Sequence, residues 1–408
     1  LRVDWADVIP KEQLSFILGN PPFVGKQYQS KEQKADIVHV MPEVKNCSDL
    51  DYVSGWFYKA ARLIQNTSIQ VGFVSTNSIT QGEQVPLLWP SLLFDLNVKI
   101  NFAHRTFKWS NESRGNAAVH CVIIGFAIFD KRQKRLFDYE KIDGEPTEVI
   151  VERINPYLNS GVTVFIKKSP KPLFDTPTMN YGSMPIDGGF YLFTEDEKNA
   201  FLEKEPTAAP FFRKFMGSSE FIKGTPRWCL WLKNVDPKEL KSMPFVLERI
   251  ENVKMVRQSS TAEPTRKAAN FPTLFFYDSQ PKIDYLGIPE VSSERRKYIP
   301  IGFISKEVIA SNKLYTIPGA TLWHFGILTS LMHMAWVKYV CGRMKSDFQY
   351  SNSIVYNNFP FPLTPTDAQK KKVEEAAQGV LDARAKYPGS SLADLYDPVT
   401  MPPDLVKA

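Results

Sequence analysis

The chain has 408 residues, 43% hydrophobic and 13% aromatic, with a net charge of +6; that is enough apolar material for a large core and for two domains. No apolar run reaches the roughly 20 residues needed to span a bilayer, which argues against a helical membrane protein. The four cysteines (Cys47, Cys121, Cys229, Cys341) stand far apart with no CxxC pair, which argues against structural zinc and for a reduced, cytoplasmic setting.

In chain order, the apolar run Phe16-Ile17-Leu18-Gly19 predicts a buried strand, and Asn20-Pro21-Pro22-Phe23 a rigid turn at its end. A polar loop from Gln27 to Asp49 follows. A helix is predicted from about Asp51 to Gln65, with Val53, Phe57, Ala60, Ala61 and Ile64 at helical spacing. Next come a strand at Val71–Val74, a helix from about Pro86 to Leu93, and strands at Val98–Phe102 and Val119–Phe129. The charge cluster Asp130 to Arg135 reads as a solvated hairpin tip. This alternation predicts an α/β fold with a mostly parallel sheet over residues 1–150.

From about residue 150 the texture changes. Proline becomes frequent (Pro156, Pro170, Pro172, Pro177, Pro185), helical periodicity fades, and aromatics mingle with Lys and Arg. A mixed α+β domain is expected over 151–365, in which Leu322 to Tyr339 reads as one buried helix and Trp228, Trp231, Phe359 and Phe361 read as core. The positive charge sits there too: 27 basic against 20 acidic side chains, where residues 1–150 carry 17 of each and 366–408 carry 6 and 7. Such an excess suits a polyanion, and an ordinary basic surface gives the same count. The tail 366–408 opens with a capping box, Thr366 with Gln369, ahead of the apolar stripe Val373, Ala376, Ala377, Val380, Leu381.

The Asn20–Phe23 turn carries the most specific chemistry. Proline has no N–H and a fixed φ, so the turn presents carbonyls without competing donors, and Pro21 pushes Asn20 towards an extended backbone. The Asn20 side-chain oxygen and the Pro21 carbonyl can grip both hydrogens of a planar exocyclic amine. That grip favours a more tetrahedral nitrogen and frees its lone pair for attack. Phe23 offers a face on which an extruded base can stack. This is catalysis by preorganised acceptors, with no metal required. A chance turn after a strand would also carry Asn-Pro, a common loop dipeptide.

Phe16 to Gly25 resembles the catalytic motif of amino-group DNA methyltransferases, which use S-adenosylmethionine. Nearly the whole chain is similar to the C-terminal half of the MmeI-like type II restriction-modification enzymes. The resemblance implies a partial Rossmann-like methyltransferase sheet followed by a mixed α+β target-recognition domain. Asp51 to Ile64, Gly72 to Gly82, Lys99 to Trp109 and Ala117 to Phe126 fall where the later methyltransferase motifs follow the catalytic turn, in the gamma order typical of adenine enzymes. Phe215 to Ile222 with Arg227 to Leu232 resembles the start of the recognition domain, and Arg343 to Asn352 leading into Asn358-Phe359-Pro360-Phe361-Pro362 its end.

The resemblance also implies a Gly-rich cofactor turn, and no G-x-G follows any strand here. Leu1 is not an initiator Met, and Asp4-Trp5 resembles the stretch just after the cofactor-adenine contact. The expectation is a fragment or half of a split enzyme, inactive alone, with most of the S-adenosylmethionine site and the nuclease in a missing N-terminal region.

The family places a second base-stacking aromatic before the Ala117–Phe126 strand, so Trp109 and Phe107 are candidates. His104, Arg105, Arg114 and Asn116 could meet phosphate. For double-stranded DNA, the stretch Arg257 to Asn270 reads as a polar loop able to reach a groove, with Arg266 and Lys267 as first choices. Lys223, Arg227, Arg343, Lys345 and Ser346 come next. Asp36 with Glu43-Val44-Lys45 is a near match to a nuclease motif, too closely spaced to be one. The expected function is site-specific adenine methylation in DNA. The alternatives are a non-catalytic specificity module completing a split enzyme, and a protein glutamine methyltransferase.

Overall fold

The computed structural model describes residues 1–109, 119–344 and 346–408. They form two compact units: Leu1–Lys168 with Tyr339–Ser346, and Ser169–Lys338 with Asp347–Ala408.

The first unit is built on six strands: β1 (Phe16–Gly19), β2 (Gln70–Thr76), β3 (Lys99–Trp109), β4 (Val119–Ala127), β5 (Lys134–Asp138) and β6 (Thr147–Val151). Their order across the sheet is β1-β2-β4-β3-β5-β6. The sheet is mixed where a mostly parallel one was expected. β1 pairs parallel with β2 and β3 with β5, while β4 lies antiparallel between β2 and β3, and β6 runs antiparallel to β5. β4 can slot in because it has no side chain at Gly125, where a Cβ would lie 1.8 Å from the Phe102 ring.

Strict alternation on β2 sends Val71, Phe73 and Ser75 inward. Helix α2 (Ser54–Leu63) covers that face, with Phe57 against Phe73 (5.3 Å, edge-on) and stacked on Phe126 (5.6 Å). Helix α3 (Gln84–Pro90) adds Trp89, whose indole N–H donates to the Ile79 carbonyl at 2.7 Å.

Three sequence expectations for this unit fail for identifiable reasons. β1 is an edge strand, and Phe16 and Leu18 are 59% and 77% exposed. An apolar run does not say whether both faces find cover. The segment read as a polar loop holds helix α1 (Lys31–Val40), which buries only Ile37 and Val40; its signal was the capping box of Ser30 with Gln33, not periodicity. Finally, Asp130 to Arg135 is no hairpin tip. β5 pairs with β3 instead of β4, and Lys134 is buried, its Nζ donating to the Ile100 carbonyl (3.2 Å) and to Asp130.

In the second unit, short strands make two four-stranded sheets, one from 192–193, 212–216, 228–230 and 309–310, the other from 180–181, 285–289, 302–304 and 314–318. Phe359 and Phe361 are buried, and Trp228 and Trp231 pack partly buried against the core. The expected single helix over Leu322 to Tyr339 is two, Leu322–Leu328 and Leu331–Val340. Between them Thr329 and Ser330 turn their hydroxyls back onto the Phe325 and Ile327 carbonyls (2.8 and 2.7 Å), and Ser330 Oγ then accepts from His333 N. This side-chain competition for backbone groups breaks the helix. The tail helix Asp367–Ala385 begins with the expected Thr366–Gln369 capping box.

Arg257 organises much of this unit. It is fully buried, and its guanidinium donates to five carbonyls, those of Pro185, Ile186, Ala268, Phe271 and Leu274, at 2.7–3.2 Å. A fork of five N–H donors suits that task, and an ammonium would not reach them all. Arg257→Met should therefore destabilise the protein by about 3 kcal/mol or more, since several buried carbonyls lose their donor together. Urea denaturation followed by tryptophan fluorescence measures this, and a loss under about 1 kcal/mol would contradict the assignment.

Candidate active site

β1 and β2 run parallel, and β4 is antiparallel to both β2 and β3. The chain therefore leaves β1, β2 and β3, and enters β4, at one end of the sheet. In open α/β sheets, ligands bind at the carboxyl ends of the strands. The β1–β2 register ends at Gly19 opposite Phe73. Three residues further along β2, Thr76 faces Cys121, which in turn faces Phe107. Three strand spacings, about 14 Å, separate the β1 and β3 positions.

At this end of the sheet the turn is partly exposed. Asn20 and Pro22 are exposed, Pro21 is buried, and Phe23 is half-buried with one side against the core. Among the described residues, neither the Asn20 side chain nor the Pro21 carbonyl makes a hydrogen bond.

The exit of the turn is, by contrast, tied down. The Val24 N–H donates to Asp51 Oδ1 (3.1 Å), and the Val24 carbonyl accepts from Tyr52 N (3.0 Å) and Gln29 Nε2 (2.9 Å). Gln29 also donates to the Leu50 carbonyl at 2.8 Å. Asp51 is buried, accepts further from Val53 N (3.2 Å) and Ser78 Oγ (3.4 Å), and its own N–H donates to Gln84 Oε1 (3.0 Å). Burial pushes its carboxyl above the usual range, against the pull of the Val53 and Val24 amides. Sequence reasoning missed Asp51, Gln29 and Ser78. The available signal was an Asp two residues before the first turn of α2, a common Asx-turn position.

The aromatic candidates differ in their surroundings. Phe107 is half-buried, with one face stacked on Tyr139 (5.4 Å, 24° between planes). Trp109, the last residue of β3, is 38% exposed and lies 6.0 Å from the Phe107 ring. His104 stacks on Phe137 at 4.2 Å and shares a 2.8 Å hydrogen bond with Tyr139; burial lowers its pKa. Arg105 is held by Asp138 (2.5 Å) and the Leu158 carbonyl (2.8 Å). Arg114 and Asn116 lie outside the described residues, as does Lys345.

Arg343 and Ser346 belong to the first unit, bonded to each other through Arg343 Nη1 and the Ser346 carbonyl (3.0 Å), while Lys223, Arg227, Arg266 and Lys267 belong to the second. The stretch Arg257 to Asn270 is not a loop. It is the end of helix Pro244–Gln258 and a short helix, Glu263–Ala268, with Arg257 internal. Arg266 is exposed but bonds the Ser260 and Thr261 carbonyls (2.9 and 2.8 Å), and Lys267, 74% exposed, pairs with Glu263 at 2.8 Å. Arg227 pairs with Glu220 (3.3 Å) beside the Phe215 ring, and Lys223 is exposed at the end of helix Ser218–Lys223.

Among the described residues no group of three or more His, Cys, Asp or Glu could hold a metal. Asp36 is bonded by Arg2 and Tyr52, and Glu43 by Tyr58. No helix of the described residues is long and apolar enough to cross a membrane.

Three family models match the chain: the MmeI DNA-methyltransferase domain over residues 1–138, the MmeI target recognition domain over 160–363, and the MmeI C-terminal domain over 365–408. DNA methyltransferase A of Bacillus subtilis (strain 168) is 43% identical over 409 residues, which cover 99% of this chain and 45% of that protein. The solved structure of the type IIL restriction-modification enzyme MmeI in complex with DNA matches with a TM-score of 0.93 and 53% identity, over 100% of this chain and 54% of that one. The chain spans about half the length of each of these relatives. With the target-recognition match covering residues 160–363 and the methyltransferase and C-terminal matches flanking it, the chain belongs to the MmeI family of restriction-modification proteins.

Proposed function

We propose that this chain is the base-gripping and target-reading portion of a site-specific DNA adenine methyltransferase. The observation that carries the reading is the pair of unengaged acceptors at Asn20 and Pro21, at the carboxyl end of β1 and beside the half-exposed Phe23. The second unit, which holds most of the match to the target recognition domain, supplies duplex binding. One adenine leaves the stack and rests on Phe23, with Trp109 as the candidate for its other face. Asn20 Oδ1 and the Pro21 carbonyl accept from the two amino hydrogens and hold the nitrogen's lone pair towards the methyl donor. Formation of the N–C bond would be matched by cleavage of the donor's methyl–sulfur bond, with that electron pair left on sulfur, and the nitrogen would give up one proton to water.

S-adenosylmethionine is the donor that the family implies. None of the strands runs into a G-x-G turn that would seat it, so no residue of this chain is assigned to hold it. The bare outer side of β1, at the edge of the sheet, suits pairing with a further methyltransferase segment that carries that turn. A nuclease belongs to the same further region in this reading.

Asn20→Ala in the full-length protein should lower methylation of never-methylated plasmid DNA by ~10²–10³-fold, the scale of losing one preorganised polar group at a reacting centre. Its DNA affinity should stay within a few fold. Tritiated methyl incorporation beside a gel-shift titration reads both, and near-parental incorporation would refute the assignment. Phe23→Ala should weaken capture of the extruded base by about 1–3 kcal/mol, the scale of one stacking contact. A duplex with 2-aminopurine at the target position reports this as reduced fluorescence enhancement; an unchanged signal counts against Phe23.

A further inference from the structure

We infer that Asp51 is a positioning residue for methyl transfer, holding the acceptor turn in place without touching the substrate. This rests on the reading of Asn20 and Pro21 given above. Within the turn, Pro21 is buried and Phe23 packs against the core, but Asn20 and Pro22 are exposed, Asn20 to Phe23 make no side-chain hydrogen bond among the described residues, and β1 is only four residues long. Its acceptors act only if their oxygens stay where the amino hydrogens will be, and an error near 1 Å can cost about a hundredfold in rate. The first anchor after Phe23 is the Val24 amide on Asp51 Oδ1.

The carboxylate joins three segments that the sequence separates. Oδ1 takes the Val24 amide from the turn and the Val53 amide from the start of α2, and Oδ2 takes the Ser78 hydroxyl from the segment following β2. Its main chain is held as well, by Gln84 Oε1 on the amide and by Ser54 N (3.0 Å) and Oγ (2.7 Å) on the carbonyl. A side chain so fixed on both ends transfers the rigidity of α2 and β2 to the turn. Burying a carboxylate is costly unless its lone pairs are satisfied, so a site serving only to start a helix would do as well with Ser or Thr.

That comparison gives the test. Asp51→Asn keeps an oxygen for both amides and an N–H₂ for Ser78. Asp51→Ser keeps a short-range turn bond to Val53 N but cannot reach Val24. Both variants are made in the full-length protein and assayed for single-turnover methylation of never-methylated plasmid DNA, for DNA affinity and for thermal unfolding. Asp51→Asn should stay within about fivefold of the parent rate. Asp51→Ser should melt within a few degrees of the parent and bind DNA within a few fold, yet methylate at least about 30-fold more slowly.

Parental rates in Asp51→Ser would overturn the inference, and so would equal losses in both variants, which would point to the charge and not the tether. If Asp51→Ser fails to fold, Asp51→Thr, which likewise keeps the short turn bond to Val53 N and loses Val24, takes its place with the same expectation and the same refutation. Asn20→Ala runs alongside. Parental activity there sinks the acceptor-turn reading itself, whereas a dead Asn20→Ala beside a fully active Asp51→Ser sinks only the role of Asp51.

Discussion

The parallel pairing of β1 with β2 is the constraint on which the proposed acceptor turn of the first unit depends. Four residues, Phe16 to Gly19, lie in register with Gln70 to Phe73, and that register decides where the chain leaves the sheet and which way it faces when it does. A slip of one residue would turn every β1 side chain over and shift where the Asn-Pro-Pro corner leaves the sheet. Among the described residues β1 pairs with β2 alone, so its register is held by β2 along its length and by the bonds to Val24 beyond Phe23. The strand and the buried carboxylate at the start of α2 thus fix the same short segment from its two ends.

Much of the fold was legible because its long apolar periods are local. The α2 stripe, the short apolar run Val71–Val74 and the Thr366 capping box need only their own residues to be recognised, and a helix, a strand and a helix start stand there. What stayed hidden depends on distant partners. The sequence of β1 cannot report which of its sides is covered, and the antiparallel placement of β4 follows from contacts with two strands at once. Helix α1 escaped notice because it buries just two side chains; a helix that is polar almost all round leaves no stripe to read. The break at Thr329 and Ser330 turned on two hydroxyls preferring nearby carbonyls, a choice that composition does not announce.

The candidate site divides along the same line. Asn20 to Phe23 could be picked out because proline next to proline restricts the backbone by itself. Asp51 and Gln29 could not, since their significance lies in reaching Val24 across 27 and 5 residues of sequence. Arg257 shows the converse error. Its neighbours in sequence are small and polar, which suggested a loop extended towards a ligand, whereas the side chain is the internal scaffold of the surrounding turns. A charged residue among polar ones reads as a surface feature unless its acceptors are known, and here they lie up to 72 residues away.

Phe271 illustrates what such a scaffold permits. Its carbonyl is gripped by Arg257 while its ring is 65% exposed. A large aromatic side chain normally retreats from water by bending its loop, and here the backbone has no slack to do so. The same guanidinium that stiffens the interior therefore fixes where this side chain leaves the backbone, so a partner that met the ring would have only its side-chain torsions to order.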